Sequence, residues 1–189
     1  MHEKSALAIL GSPHTNGITA AMLDVAIRKA QQANYNVTKI NLYEKSLSFC
    51  TGCCSCMETQ ICVLKDDLPE IVELLQKSHL VILAAPVYWA NVPAPVKNLF
   101  DRLLGVAMEE TATFPKPRLR GRQYILLTSC NTPAPFSWIF GQSRGAIHNM
   151  DEFFKTAGMK AAGKVVCANA KNRKELPEQI IKKIERCLT

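Results

Sequence analysis

Apolar, β-branched runs alternate with amphipathic segments along this chain. That alternation constrains the fold more than any other feature, because it calls for parallel strands joined by crossover helices. Ala6 to Leu10 is a short apolar run closed by Gly11, Ser12 and Pro13, and from Thr19 the positions Met22, Leu23, Ala26 and Ile27 keep a helical spacing. The order is strand, loop, helix. Thr38, Ile40 and Leu42 alternate with Val37, Lys39 and Asn41 as a second strand nearer the sheet edge. Asp66 and Asp67 precede a helical run that carries Pro69, where carboxylates complement the positive end of the helix dipole. HLVILAA, from His79 to Ala85, is the most apolar run and reads as a central parallel strand buried on both faces. Pro86 ends it, and a helix follows over Val96 to Leu104. Tyr124 to Ser129 makes a fourth strand and Ser143 to Thr156 a long amphipathic segment. A fifth strand lies near Lys164 to Cys167, and Glu175 to Leu188 closes the chain as a helix. The expected fold is α/β, an open, doubly wound sheet of five parallel strands with helices on both faces.

At 189 residues, with 48% hydrophobic and 21% charged, the chain has the size and composition of a single globular domain over 1–189, elaborated by a Cys-rich loop at 48–65. Twenty-three Lys and Arg against 16 Asp and Glu leave a formal net charge of +7, which suits phosphates, nucleotides or an acidic partner without choosing among them. The opening MHEKSALAIL carries no leader pattern. The longest apolar stretch, Leu80 to Val96, is broken by three prolines, short of the ~20 uninterrupted apolar residues a membrane span needs. A cytoplasmic protein without membrane contact is expected. Eight Cys fit a reducing compartment, where clustered thiols bind metals or do redox chemistry more often than they form structural disulfides.

In such a sheet, ligands sit beyond the carboxyl ends of the strands, where strand order reverses. This singles out the loops Gly11 to Thr19, Pro86 to Pro95 and Ser129 to Phe136. The first, GSPHTNGIT, offers the hydroxyls of Ser12, Thr15 and Thr19, the flexible Gly17 and the free N–H groups of a helix start, all donors for a phosphate. It has neither the Lys of a nucleoside-triphosphate loop nor the GxGxxG spacing, and an ordinary capped turn is the plainer alternative. The second puts Tyr88 and Trp89 just past the buried strand, where a flat aromatic ligand or a second subunit would meet them.

Three stretches together, GSPHTNGIT, CTGCCSCMETQICVLKDD and PVYWANVPAPVKNLFDR, make the chain resemble the flavodoxin-like NAD(P)H-dependent FMN reductases, and within them the iron–sulfur flavoprotein branch. The likeness runs to about Val166. It implies a flavodoxin-like strand order 2-1-3-4-5 and FMN as cofactor. The phosphate would lie at Ser12, His14, Gly17, Ile18 (through its backbone N–H) and Thr19, and the ring along Pro86, Val87, Tyr88, Trp89 and Asn91. Ser129 and Asn131 are the corresponding positions in the less similar third loop, TSCNTPAP. Where relatives usually have Arg and Asn this chain has His14 and Ile18, which removes one permanent charge and one side-chain donor from the phosphate site. The resemblance further implies a homodimer or larger homo-oligomer with flavin near the subunit interface. Asn91 to Pro95 and Phe100 are the apolar surface offered for it.

Cys50, Cys53, Cys56 and Cys62 form C-x2-C-x2-C-x5-C, with Cys54 breaking the spacing. Three thiols at intervals of three and a fourth after a short loop can converge on one [4Fe–4S] cubane. A tetrahedral zinc site and unliganded thiols are the alternatives. The four-residue spacing is that of the iron–sulfur flavoproteins.

The basic run KPRLRGR, with Lys116, Arg118, Arg120 and Arg122, would meet the extra phosphate of NADPH, an acidic partner, or only solvent. No aromatic residues interleave with it, which argues against nucleic acid. His148 and Trp138 fall on a segment that reads equally as helix-packing surface, and Cys130, Cys167 and Cys187 as small packing residues. No residue pattern for hydrolysis or metal-assisted acid–base work is present, and no catalytic side chain is assigned. The reading is an oxidoreductase in which FMN takes electrons from NADH, NADPH or a ferredoxin-like donor and passes them to a small-molecule acceptor. The alternative is a non-catalytic flavodoxin-like electron-transfer or binding module.

Overall fold

The computed structural model describes residues 4–188; residues 1–3 and 189, which belong to the expected domain and to the opening MHEKSALAIL, lie outside it. Among the described residues are seven strands and eight α-helices. They are β1 (Lys4–Leu10), α1 (Ile18–Gln32), β2 (Tyr35–Asn41), α2 (Ser55–Thr59), α3 (Leu68–Lys77), β3 (Leu80–Pro86), α4 (Ala94–Arg102) and α5 (Leu104–Ala107), then β4 (Met108–Glu109), β5 (Lys116–Pro117), β6 (Gln123–Cys130), α6 (Phe136–Ile139), α7 (Gln142–Thr156), β7 (Lys160–Ala168) and α8 (Glu178–Glu185). The main sheet has the order β2-β1-β3-β6-β7 and every pairing in it is parallel. Counted without the two-residue strands, that is 2-1-3-4-5, the doubly wound flavodoxin-like α/β order.

Every residue of β3 from Leu80 to Ala85 is buried, as a strand covered on both faces by helices must be. One core layer joins Leu7, Ile9, Leu83 and Leu126 to α3, α4 and α7; the other joins Ala8, Ile82 and Leu127 to α1 and α8. The β1–β3 step is where the order reverses, and the loops after these two strands therefore open on one crevice.

Several boundaries differ from the sequence expectation, each for a local reason. The fifth strand of the sheet runs over nine residues rather than four, because Ala161 and Gly163 pair with β6 through backbone alone, across a register shift at Tyr124/Ile125. The fourth helix starts two residues earlier, since Pro95 falls in the first turn where its missing N–H is harmless. The closing helix is confined to Glu178–Glu185 and ends in a 3₁₀ turn over Arg186–Leu188. Leu42 does not extend β2 but begins a 3₁₀ turn capped by Asn41, whose Oδ1 accepts from Tyr43 N at 3.1 Å. The antiparallel β4–β5 pair was invisible in the pattern, being two residues on each side. Among the described residues no helix is long and apolar enough to cross a membrane.

The surface offered for a partner is also different. Val92 and Phe100 are buried within the chain itself, Phe100 stacking on Phe153 with ring centroids 4.4 Å apart. The large apolar side chains left in solvent at this end include Tyr88, Trp89 and the run Phe136, Trp138, Ile139 and Phe140.

Candidate functional site

The crevice is built first by close backbone packing. Gly11 follows β1, its N–H donating to Ala84 O at 2.8 Å, and a Cβ there would lie 2.3 Å from Val96 Cγ2. Only glycine lets the β1 loop cross so near to α4. Ser12 is buried, and its Oγ accepts from the N–H of His14 at 3.2 Å, which curls the loop back toward the start of α1. Gly17 caps α1 without any side-chain hydrogen bond, and no acidic residue occupies the first turn. The opening of a 15-residue helix thus keeps its free N–H donors and its positive dipole end for an anion.

Thr19 and Ser129, both buried, join the two sides of the crevice through a 2.6 Å hydrogen bond between hydroxyls. Ser12, His14, Gly17, Ile18 and Thr19 line one cavity of about 240 Å³ together with Pro86, Tyr88, Ser129 and Asn131. Val87, Trp89 and Asn91 do not line it. The cavity wall is completed by Ala170 and Lys171, on a 3₁₀ turn after β7 that the sequence reading missed. That turn is fixed by Asn169 N donating to Thr132 O at 3.2 Å and Asn172 Nδ2 to Asn169 Oδ1 at 2.8 Å. Lys171 makes no ion pair with another described residue, so an unopposed cation stands beside the buried hydroxyls.

The loop after β3 is a tight hairpin turn. Tyr88 N donates to Asn91 O at 2.8 Å and Asn91 N to Tyr88 O at 2.9 Å, with Trp89 and Ala90 both left-handed at φ 53° and 58°. Two positive φ values are the type I′ pattern, which normally calls for Asn or Gly. Here Val87 N bonds Ser129 O at 2.8 Å, Asn91 Oδ1 accepts from Val92 N, and Gly145 of α7 lies directly beneath, where a Cβ would be 2.1 Å from Ala90 O. The turn turns Tyr88 into the cavity wall and leaves Trp89 wholly exposed.

The cysteine-rich segment is held from both ends. Asp66 Oδ2 accepts from Ser48 N and Asp67 Oδ2 from Ser46 N, so these carboxylates staple the segment as well as open α3. Burial opposes the charge of Asp66, but hydrogen bonds from Arg102, Ser48 and Leu68 outweigh it and hold the carboxyl below its ordinary value. Cys50, Cys53, Cys54, Cys56 and Cys62 line a common cavity together with Arg102. Among the described residues no three His, Cys, Asp or Glu side chains are gathered tightly enough for a single ion. A cubane would ask for soft thiolates around a shared space, and the cysteines lining this cavity are donors of that chemistry. Hydrogen bonds from Ser55 and Thr51 lower the Cys53 thiol toward thiolate, whereas burial raises Cys167 and Cys187. Gly105 sets the position of Cys56, since a Cβ there would be 2.0 Å from Cys56 O.

The basic run is largely structural. Arg118 Nη1 donates to Gly105 O at 2.6 Å, Lys116 pairs with Glu109, and Arg122 Nη2 donates to Gln76 O. His148 and Trp138 are exposed, and Cys130 and Cys167 are buried.

Residues 5–131 match the family model described as NADPH-dependent FMN reductase. The chain is 40% identical over 99 residues to an iron–sulfur flavoprotein of Archaeoglobus fulgidus, covering 52% of this chain and 45% of that one. It spans about half the length of the curated relatives it matches. Similar solved structures include an NAD(P)H:quinone oxidoreductase of Methanothermobacter marburgensis, at 13% identity with a TM-score of 0.75 over 98% of this chain and 96% of that one. Another is an FMN-dependent NADH-azoreductase of Bacillus anthracis in complex with FMN, at 12% identity with a TM-score of 0.72 over 98% and 95%. At these identities the structures speak to the fold.

Proposed function

The chain belongs to the NADPH-dependent FMN reductase family, and from that premise we propose that it is an FMN-dependent oxidoreductase which moves electrons from NADH, NADPH or a ferredoxin-like donor to a small acceptor of the quinone or azo type. The observation that carries this reading is the cavity where Ser12, Thr19 and Ser129 converge on an uncapped helix start beneath the Tyr88 turn. FMN, when bound, supplies the hydride and single-electron chemistry. The chain's own residues bind and orient. Ser12, Thr19 and the N–H groups of Gly17 and Ile18 hold the phosphate, His14 lines the same wall, and Lys171 adds positive charge to it. Ser129 keeps Thr19 in place, Asn131 lines the ribityl side, and Pro86 and Tyr88 form the rigid edge for the ring, braced from behind by the backbone bonds of Val87 and Asn91, with Trp89 outside it facing a partner or substrate.

Cys50, Cys53, Cys56 and Cys62 are proposed as ligands of a [4Fe–4S] cluster, with the spacing and the iron–sulfur flavoprotein relatives in support. Such a cluster passes single electrons. A homo-oligomer in a reducing, cytoplasmic setting completes the proposal. The catalytic reading is favoured over an electron-carrier module by the net charge of +7, which suits a nucleotide substrate.

The decisive experiment is steady-state NAD(P)H oxidation by the FMN-loaded full chain with quinone as acceptor. Turnover that depends on added FMN is expected. FMN bound tightly with no turnover from either nicotinamide or from reduced ferredoxin would leave only the carrier module.

A further inference from the structure

Arg102 is polar, permanently charged and fully buried, a combination that a protein interior tolerates only when the charge is paired and hydrogen-bonded. Its partners are specific. Nη1 donates to Asp66 Oδ2 at 2.7 Å and to Ser48 O at 2.5 Å, Nη2 to Asp66 Oδ1 at 3.1 Å, and Nε to the Cys62 Sγ at 3.3 Å. Ser48 lies just before Cys50, and Asp66 just after Cys62, so one guanidinium closes the cysteine-rich segment and touches its last thiol, Cys62. Asn98, one turn earlier on α4, adds bonds from Nδ2 to the carbonyls of Leu47 and Ser48, both at 3.2 Å. The N-terminal end of α4 is continuous with the Tyr88–Asn91 turn at the flavin-side cavity.

We propose that Arg102 is the positioning residue of the thiol site, holding Cys62 in place and setting the reduction potential of the group it ligates. The inference rests on the cluster reading above. Reduction adds one electron and no proton to a thiolate-bound cluster, so its negative charge rises by one. The N–H···S hydrogen bond, and an Arg102–Asp66 pair whose positive member is the one bonded to the sulfur, both favour the more negative state and raise the potential. Solvent does neither as effectively here, because Arg102 is sealed from it.

The test is potentiometric titration with dithionite of the full chain, reconstituted anaerobically with ferrous iron and sulfide and loaded with FMN. Variants are Arg102→Lys and the double change Arg102→Gln with Asp66→Asn, which removes equal and opposite buried charges and spares the fold an unpaired carboxylate. In the double variant the equilibrium constant for cluster reduction should fall about tenfold, a lowering of about 59 mV for one electron, with a smaller fall in Arg102→Lys. The FMN potential in the same samples should stay unchanged, an outcome a merely structural role does not give. Pulsed EPR of reduced wild-type protein grown on ¹⁵N-arginine should show nitrogen coupling to the cluster, whichever variants fold. A cluster potential unmoved in the variants, or no arginine nitrogen coupling, overturns the proposal alone. Wild-type protein that takes up no iron overturns the cluster reading and this proposal with it.

Discussion

Thr19 shows how much of the site is a matter of single atoms. Its buried hydroxyl bonds Ser129 at 2.6 Å, and the residue lies in the uncapped first turn of α1. Thr19→Ala should therefore weaken FMN by about 1.5 kcal/mol, roughly tenfold, the scale of one hydrogen bond to a charged group. Riboflavin, which lacks the phosphate, should lose less, and equal losses by fluorescence titration would remove Thr19 from the phosphate site. Lys171→Gln should separate the two ligands in the same way, and raised salt should weaken FMN in the wild type more than in the variant. That Thr19 lines a crevice was legible in the sequence because it stands at a helix start in the loop after the first strand, although a hydroxyl there reads equally as an ordinary cap. Lys171 was not, because nothing local in AKNRK tells that its turn folds back over a loop about 155 residues earlier, a contact created only by the β1 and β7 positions in the sheet. Arg102 was hidden for another reason: on an amphipathic helix a charged residue reads as solvent-facing until its partner is known.

At the scale of elements, two contacts decide whether the sites keep their shape. Helix α5 presses against Cys56 of α2, with Gly105 at the point of contact. Gly105→Ala should push α2 away and reduce iron uptake on reconstitution, while FMN affinity stays near wild type. Full iron content in that variant would show that the cluster does not need this packing. Helix α7 is tied to the sheet by Asp151, which accepts from Tyr124 OH at 2.6 Å and pairs with Lys164 and Lys155. Burial works against its charge, yet Lys155, Lys164 and Tyr124 lower its pKa to about 2. A depressed carboxyl stabilises the fold above its ordinary value of 3.8 and loses that contribution as pH falls through about 2. The effect is on the order of 2 kcal/mol. Urea midpoints of the wild type should accordingly drop between pH 4 and pH 2 by more than those of Asp151→Asn, and parallel curves would refute it. The main strands and helices were readable because their burial imposes a period. The β4–β5 pair and the short α2, α5 and α6 were not, being too short to show one.

For the molecule as a whole, the alternation of strand and helix fixed the α/β class, while the strand order came from likeness to a family and agrees with β2-β1-β3-β6-β7. The subunit surface is where tertiary packing overrode the linear reading, since Phe100 and Val92 turn inward. What remains exposed is Trp89 on its strained turn and Phe136 to Phe140 on the segment leading into α7, whose Gly145 meets Ala90 from below. Both segments follow the carboxyl ends of strands, so they flank the flavin-side cavity at one end of the sheet. Covering such aromatics removes on the order of 25 cal/mol per Å² of apolar surface from water. Two copies each carrying +7 repel, and salt screens that repulsion. A homo-oligomer closed through this end should consequently tighten as salt rises, the opposite of assembly by ion pairs. Sedimentation equilibrium of the FMN-loaded chain at micromolar concentration should give a dimer or larger at physiological salt and a shift toward monomer at low salt. Phe140→Asp should dissociate it. A chain that sediments as a monomer in all these conditions, with flavin bound, would overturn the oligomer and leave Trp89 and Phe136 to Phe140 to the electron partner.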